Sequence, residues 1–284
     1  VILDAFAKVN LSLLVRERDA SGYHPLRSLI QSIGWSDSLT LAPADDDLLT
    51  VTGTEPVSSD DDNLAWRAAS AMRERLGSRR PLTVHLDKRI PVGAGLGGGS
   101  ADAAAALVGT ARLLGGDPSA AADLAPSLGS DVPFCVVGGT ARVEGRGELV
   151  TPLRLHPDYA LAVAVPPTAV ATPEIYRRWD RLDGPQGPEI DGRRVPPSLR
   201  DLGPIRNDLV PAAVDRHPEV GDFMADLAAR WERPVLLTGS GSAVFGFFLD
   251  ADEAVAAIRS LPDVRGSWAG LPETAGWRVV AEGS

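Results

Sequence analysis

Cysteine is nearly missing: Cys135 is the single one among 284 residues. A lone cysteine excludes an internal disulfide and any zinc site built from cysteines. Its surroundings, VPFCVV, are those of a small buried hydrophobe. Aromatic residues make up only 5% of the chain, so Ala, Val and Leu must fill the interior. No apolar run approaches the ~18 residues that suggest a membrane span, and no signal-peptide pattern is visible. Basic residues are outnumbered 28 to 38, which leaves a formal net charge of −10. That balance argues against nucleic acid or an anionic membrane as a general partner. Any anionic ligand must be held by local donors against the overall field. These absences lead us to expect a soluble protein of the cytoplasm. The sequence starts at Val1, so an initiator residue or short leader is expected before it.

What is present reads as a mixture of strands and helices. The start, VILDAFAKVNLSLLV, alternates around Val9, Leu11 and Leu13 and predicts a strand that ends at the turn ASGY. Three short strands with acidic turns are predicted for LIQSIGWSDSLTLAPADDDLLTVTG. DNLAWRAASAMRERLG predicts a helix capped by Asp62 or Asn63, and PLTVHLDKRIP a strand with Leu82, Val84 and Leu86 on one face. A helix follows the glycines at 93–99, and a shorter one spans about Ser119 to Leu128. LGSDVPFCVVGGTARVEGRGE predicts a turn followed by strands. Later come a buried strand in DYALAVAVPP and a helix in TPEIYRRWDRL with Thr172 as its cap. Residues 184–204 read as a loose loop, able to shape the mouth of a cleft. The last stretch predicts helix, strand–glycine turn–strand, helix and a final strand in GWRVVA. The order predicts an α+β protein of two domains, 1–150 and 151–284.

The most informative stretch is RIPVGAGLGGGSADAAAALV, Arg89 to Val108. Its glycines at 93, 95, 97, 98 and 99 let successive N–H groups converge on an anion at a helix N-terminus. Ser100 can cap the helix or donate to a phosphate. The lysine that follows a P-loop is absent, and the β-α-β context of a dinucleotide fingerprint is poor. A phosphate cradle whose cation comes from elsewhere is left.

Lys8 and Asp131 are charged residues in apolar settings. Lys8 shares a strand face with Asn10 and Ser12, which alone suggests a solvated face. Asp131 alone suggests a turn residue, just before an apolar strand. Beside a phosphate cradle, however, the two make a kinase site. An aspartate accepts a hydroxyl proton, and a lysine offsets charge on a transferring phosphoryl group.

At this point the motifs resemble a known family. PVGAGLGGGSADAA is similar to the phosphate motif of the GHMP kinases. FAKVNLSL, SGYHPL, DNLAWRAA, LGSDVPF and GSGSAVF fall in the order seen in the branch that acts on a cytidine diphosphate conjugate of methylerythritol. The resemblance implies a two-domain fold, with an N-terminal ATP-binding domain and a C-terminal substrate-side domain around a cleft. It implies phosphorylation of the conjugate's 2-hydroxyl by ATP, with Mg²⁺, in the non-mevalonate route to isoprenoid precursors.

By the same likeness Lys8 and Asp131 are catalytic. Pro91, Val92, Gly93, Ala94, Gly95, Leu96, Gly97, Gly98, Gly99, Ser100 and Ala101 cradle the ATP phosphates, with Asn63 and Lys88 near the adenine. Tyr23 and His24 recognise cytosine, with Tyr176 as a second aromatic. Asn10 and Thr172 contact the diphosphate or polyol, and Gly239 and Ser240 lie near the transferred phosphate. The acidic clusters Asp45–Asp47 and Asp60–Asp62 read as solvated turns, so no protein metal ligands are expected. The oligomeric state is not legible. The alternative is another GHMP-type kinase, acting on homoserine or mevalonate.

Overall fold

The computed structural model describes every residue except 21, 54, 56, 59, 60, 260, 262, 283 and 284. Ser21 of the SGYH turn and Asp60 of the second acidic cluster therefore lie outside the described residues. The first part of the chain runs β1 (Ile2–Val15), β2 (Leu26–Pro43), β3 (Leu48–Gly53), α1 (Leu64–Arg75), β4 (Leu82–Lys88), α2 (Gly98–Leu113), α3 (Ala121–Leu128), α4 (Val132–Val137), β5 (Thr140–Gly145) and β6 (Leu149–Leu153). The rest runs β7 (Ala160–Val165), α5 (Thr172–Arg181), α6 (Val210–Arg216), α7 (Pro218–Trp231), β8 (Leu236–Leu237), β9 (Val244–Phe248), α8 (Ala251–Ile258), β10 (Gly266–Gly270) and β11 (Trp277–Ala281).

Two sheets organise these elements. The first has seven strands in the order β11-β1-β2-β4-β3, with β5 and β6 joined to the near end of β2. The second has four, in the order β10-β7-β9-β8. The α+β expectation holds. The final strand does not stay with its neighbours in sequence: β11 crosses back to pair with β1 in the first sheet.

Strand β1 explains much of the plan. Its odd residues are apolar, yet they serve three cores in turn. Leu3 and Ala5 pack with α1 and α2, Ala7, Val9 and Leu11 pack with the second sheet, and Leu13 packs under α5 and α7. A flat strand could not do this. The register with β2 shifts between Phe6 and Lys8 and again between Asn10 and Ser12. Such irregularities bend and twist a strand and re-aim its side chains. The even residues Lys8, Asn10 and Ser12 are consequently buried rather than solvated.

Several local expectations are corrected. The three short strands expected after residue 29 are one 18-residue strand, β2, followed by β3. β2 stays continuous because it changes partner along its length, with β5 beside Leu26–Gln31 and β4 beside Ser38–Pro43. The apolar run after Asp131 is a short helix, α4, with Pro133 in its first turn where a missing N–H does no harm. Short apolar runs fit strand and buried helix equally, so periodicity could not separate them. Thr172 is the first helical residue of α5, and Ala171 takes the cap position. Strand β10 had no sequence signal. Residues 184–204 are not loose: Val195 and Leu199 are buried in the second core, and none of the segment lines the cleft described below.

One glycine contact ties β11 to the chemistry side of the fold. Gly138 ends α4 at φ +69°, and a Cβ there would overlap the backbone of Gly276. Gly276 in turn lies against the carbonyl of Cys135 and donates none of its space to a side chain. Positive-φ strain and overpacking together predict that Gly138→Ala lowers the unfolding free energy by about 2–4 kcal/mol. Urea denaturation checks this, and a loss below about 0.5 kcal/mol contradicts the close approach.

Candidate active site

The glycine loop leaves β4 and enters α2. Gly93, Gly95 and Gly97 have positive φ, and Gly97 occupies the cap position of α2 in the left-handed conformation. Ser100, expected as a possible cap, instead lies in the first turn of the helix. A Cβ on Gly97 would come within 2.9 Å of Lys8 Cγ, so only glycine lets the loop lie directly on the lysine stem.

The loop's carbonyls are committed to the scaffold. Arg89 O accepts from the Trp35 indole at 3.0 Å, Ala94 O from the Ala243 amide at 3.0 Å, and Leu96 O from the Lys8 amide at 2.9 Å. Gly95 O accepts from Thr238 Oγ1 at 3.3 Å. With carbonyls turned outward, the amides at the start of α2 have no helical acceptors and carry the positive end of its dipole. This geometry gives an acidic protein a local group of donors suited to an anion.

Lys8 Nζ lies at the base of the same cleft, 3.3 Å from Asp131 Oδ2 and 2.7 Å from Asn10 Oδ1. The lysine side chain is 4% exposed, the aspartate 36%. The ammonium is thus fixed, and the carboxylate stays open to a ligand. Asn10 is held in turn by Ser28 Oγ at 2.8 Å and by its own amide donating to Thr238 Oγ1 at 2.9 Å.

Beneath the loop is a buried triad. Lys88 Nζ donates to Asp37, and to Asp102 at 2.7 Å. Asp37 also accepts from the amides of Arg89 at 2.5 Å and Ile90 at 2.9 Å, which fixes the approach to the loop. Burial works to lower the Lys88 pKa, but Asp102 and Asp37 outweigh it and hold the ammonium charged. Two carboxylates share this one lysine. Burial, and then the neighbouring Asp37 charge against the pull of Lys88, pushes the Asp102 carboxyl up to about 8. Asp102 Oδ1 is buried with no partner among the described residues.

The far end of the cleft is aromatic. The His24 ring faces Tyr176 at 6.1 Å and 22°, and meets the edge of Trp179 at 5.0 Å. His24 Nδ1 is 2.9 Å from Arg16 O, and Nε2 is 2.8 Å from Asp180. Tyr23 is 56% exposed, and the Arg146 guanidinium lies 4.5 Å above its ring. Burial pushes the Tyr176 hydroxyl up to about 12, so it is a neutral donor at ordinary pH.

One cleft of about 860 Å³ brings these groups together. Lys8, Asn10, Tyr23, His24, Asn63, Lys88, the loop from Pro91 to Ser100, Asp131, Thr172, Tyr176, Gly239 and Ser240 all line it. Ala101 does not; it is buried in the core below the loop. Asn63 also caps α1, its Oδ1 accepting from the Ala65 amide at 3.0 Å. Thr172 Oγ1 and Ser240 Oγ are 2.8 Å apart, linking α5 to the second glycine turn. Sequence reasoning missed Arg18, Asp37, Asp102, Arg146, Asp180 and Thr238. Asp102 had a signal, a lone acid in an alanine-rich helix. The others gain meaning only from partners distant in the chain. Among the described residues no three His, Cys, Asp or Glu side chains converge as metal ligands.

A glycine loop opening a helix, with a lysine–aspartate pair facing it in an α+β fold, defines a small-molecule kinase of the GHMP class. Residues 63–139 match the family described as "GHMP kinases N terminal domain". Over 266 residues the chain is 38% identical to the 4-diphosphocytidyl-2-C-methyl-D-erythritol kinase of Geobacter metallireducens, covering 91% of this chain and 93% of that one. A crystal structure of 4-(cytidine 5'-diphospho)-2C-methyl-D-erythritol kinase superposes with a TM-score of 0.76 at 36% identity, covering 95% of this chain and 98% of the other. The chain belongs to the 4-diphosphocytidyl-2-C-methyl-D-erythritol kinase family. A homoserine kinase from Cytophaga hutchinsonii, at 18% identity, 99% and 97% coverage and a TM-score of 0.68, shares the fold alone.

The triad yields a pH prediction. The folded pKa of Asp102 is raised, so its contribution to stability is full below the ordinary carboxylate range of ~4 and is lost as pH rises through about 8. Lys88 is also raised, and its contribution is lost only above the ordinary lysine range of ~10. Asp102→Asn should therefore gain stability on the parent protein between pH 5.5 and 8.5, read as urea midpoints. A difference that does not change with pH contradicts the assignment.

Proposed function

We propose that the protein transfers the γ-phosphoryl group of ATP to the 2-hydroxyl of 4-diphosphocytidyl-2-C-methyl-D-erythritol, a step of the methylerythritol phosphate route to isoprenoid precursors. The observation that carries this reading is the Lys8–Asp131 pair at the helix N-terminus, in the same cleft as Tyr23, His24 and Tyr176. One end suits a triphosphate and the other a flat base. The division of the chain near residue 150 into ATP-side and substrate-side domains belongs to the same reading.

In the reaction the acceptor oxygen forms a bond to the γ-phosphorus, and the bond from that phosphorus to the β,γ-bridging oxygen breaks. ADP leaves. The hydroxyl proton passes to the Asp131 carboxylate, the exposed member of the pair. Lys8 Nζ, held by Asn10, sits where it offsets charge on the acceptor and the moving phosphoryl group. In a loose transition state most of the work is positioning and charge compensation, so a fixed ammonium and fixed amides are the right equipment. Magnesium carried on the triphosphate would supply further charge compensation there. Tyr23, His24 and Tyr176 recognise cytosine by ring contact and edge hydrogen bonds. Both His24 ring nitrogens already have protein partners, so the imidazole reaches a base edge when Arg18 and Asp180 give way.

The same reading has the protein act in the cytoplasm, and a free buried Cys135 is compatible with that reducing compartment. No helix among the described residues is long and apolar enough to cross a membrane. Homoserine and mevalonate remain the competing acceptors, and the aromatic end of the cleft disfavours both.

Turnover assays with the cytidine conjugate, mevalonate and homoserine test the reading. Turnover of either of the last two, with none of the first, overturns it. Asp131→Asn should lower kcat by about 10²–10⁴ with ATP affinity within a few-fold; near-normal kcat removes Asp131 from the proton-accepting role. His24→Ala should raise KM for the cytidine conjugate about tenfold or more and leave KM for ATP unchanged; an equal rise in both removes His24 from base recognition.

A further inference from the structure

The phosphate loop is pinned on one flank by a residue far away in the chain. Glu55 follows β3, and Arg265 immediately precedes β10 in the C-terminal half. Glu55 Oε2 accepts the Val92 amide at 2.8 Å. Arg265 Nη2 donates to Val92 O at 2.7 Å. The two side chains also grip each other: Arg265 Nε reaches Glu55 Oε1 at 2.9 Å, and Nη2 lies 2.6 Å from Oε2. Both backbone groups of Val92 are thus held by one ion pair. Next to it, a Cβ on Gly266 would come within 3.2 Å of Pro91 and 2.9 Å of Trp35, so the strand behind Arg265 lies directly against the loop.

The energetics point to positioning rather than stability. The pair is largely buried, at 19% and 24% side-chain exposure. Burial works to raise the Glu55 pKa, yet the Arg265 and Val92 hydrogen bonds hold it below the ordinary range, so the carboxylate is charged. Arg265 Nη1 is buried with no partner among the described residues. A buried ion pair with a donor left over is a poor way to gain stability. It is a good way to fix geometry, since two forked groups hold both backbone polar groups of one residue, one in each of its flanking peptides. Val92 is the last residue before Gly93, where positive φ begins. The two peptides that flank Val92, both held by the pair, therefore set where the following amides point.

We propose that Glu55 and Arg265 are positioning residues for the phosphate loop, and that Arg265, from the C-terminal half, thereby sets the affinity for ATP. The inference rests on the reading of that loop as the ATP site. It predicts an effect confined to the nucleotide, because the pair touches neither Lys8, Asp131 nor the aromatic end. Removing the guanidinium leaves the Val92 carbonyl without its donor and frees the Glu55 carboxylate to swing off the amide. The loop then samples shapes in which its amides no longer converge, and the nucleotide must reorder it on binding.

The test compares the full-length parent protein with Arg265→Ala, Arg265→Lys and Glu55→Gln. ADP binding is measured by calorimetry without acceptor, and KM is measured separately for ATP and for the cytidine conjugate. Arg265→Ala is expected to weaken ADP and raise KM for ATP about tenfold, with KM for the conjugate within about twofold. Arg265→Lys, which keeps one donor, should recover at least half of that loss on a logarithmic scale. Glu55→Gln is nearly isosteric and keeps an acceptor for Val92; it should shift ADP affinity in the same direction as Arg265→Ala. The proposal is overturned if ADP affinity stays within twofold in both Arg265→Ala and Glu55→Gln. It is equally overturned if KM for the conjugate rises as much as KM for ATP, the mark of a merely structural loss. A parent protein that binds no ADP would instead overturn the reading of the loop as the ATP site.

Discussion

The site depends on one contact, the stem of Lys8 lying against Gly97. Any side chain at 97 would push the lysine away, and any other route for the lysine would take the ammonium that the proposed mechanism uses away from the loop. The contact is reinforced by the backbone, since the Lys8 amide donates to Leu96 O at 2.9 Å. Strand β1 and the phosphate loop are therefore one unit. The register shifts around Lys8 and Asn10 then acquire a purpose. They turn polar residues of an apolar strand into the floor of a cleft while the odd residues keep three cores filled.

The same unit resolves an electrostatic difficulty. A chain of net charge −10 must hold a highly anionic substrate. On the proposed reading it does so with groups whose direction is fixed. The loop carbonyls are occupied by Trp35, Thr238, Ala243 and Lys8, so they cannot turn toward the ligand. The buried triad of Asp37, Lys88 and Asp102 anchors the loop from below and leaves Lys88 charged. Prearranged dipoles of this kind need no reorganisation as charge moves in a phosphoryl transfer.

The glycine loop, the helix after it, α1 with its Asn63 cap and the buried strand β7 were legible in the sequence because their signals are local. The pairing of Lys8 with Asp131 was read from two lone charges in apolar settings beside a phosphate cradle, and family resemblance supported it; nothing local says that the even face of β1 is buried. What escaped was of two kinds. The helix α4 was hidden because a six-residue apolar run has no period to read. The return of β11 to the first sheet, and the roles of Asp37, Thr238 and Asp180, are contacts between residues distant in sequence. Residues 184–204 show the reverse error. Their Pro, Gly and charge suggest a loose loop, whereas Val195 and Leu199 anchor them in a core.

The most direct measurement is a crystal structure with a non-hydrolysable ATP analogue and the cytidine conjugate bound together. The triphosphate should lie on the amides of residues 93–100, with the base end between Tyr23, His24 and Tyr176. The acceptor 2-hydroxyl should lie within about 3.2 Å of Asp131 and in line with the γ-phosphorus. A triphosphate bound away from the glycine loop, or an acceptor hydroxyl beyond reach of Asp131 even through one water, would contradict the account.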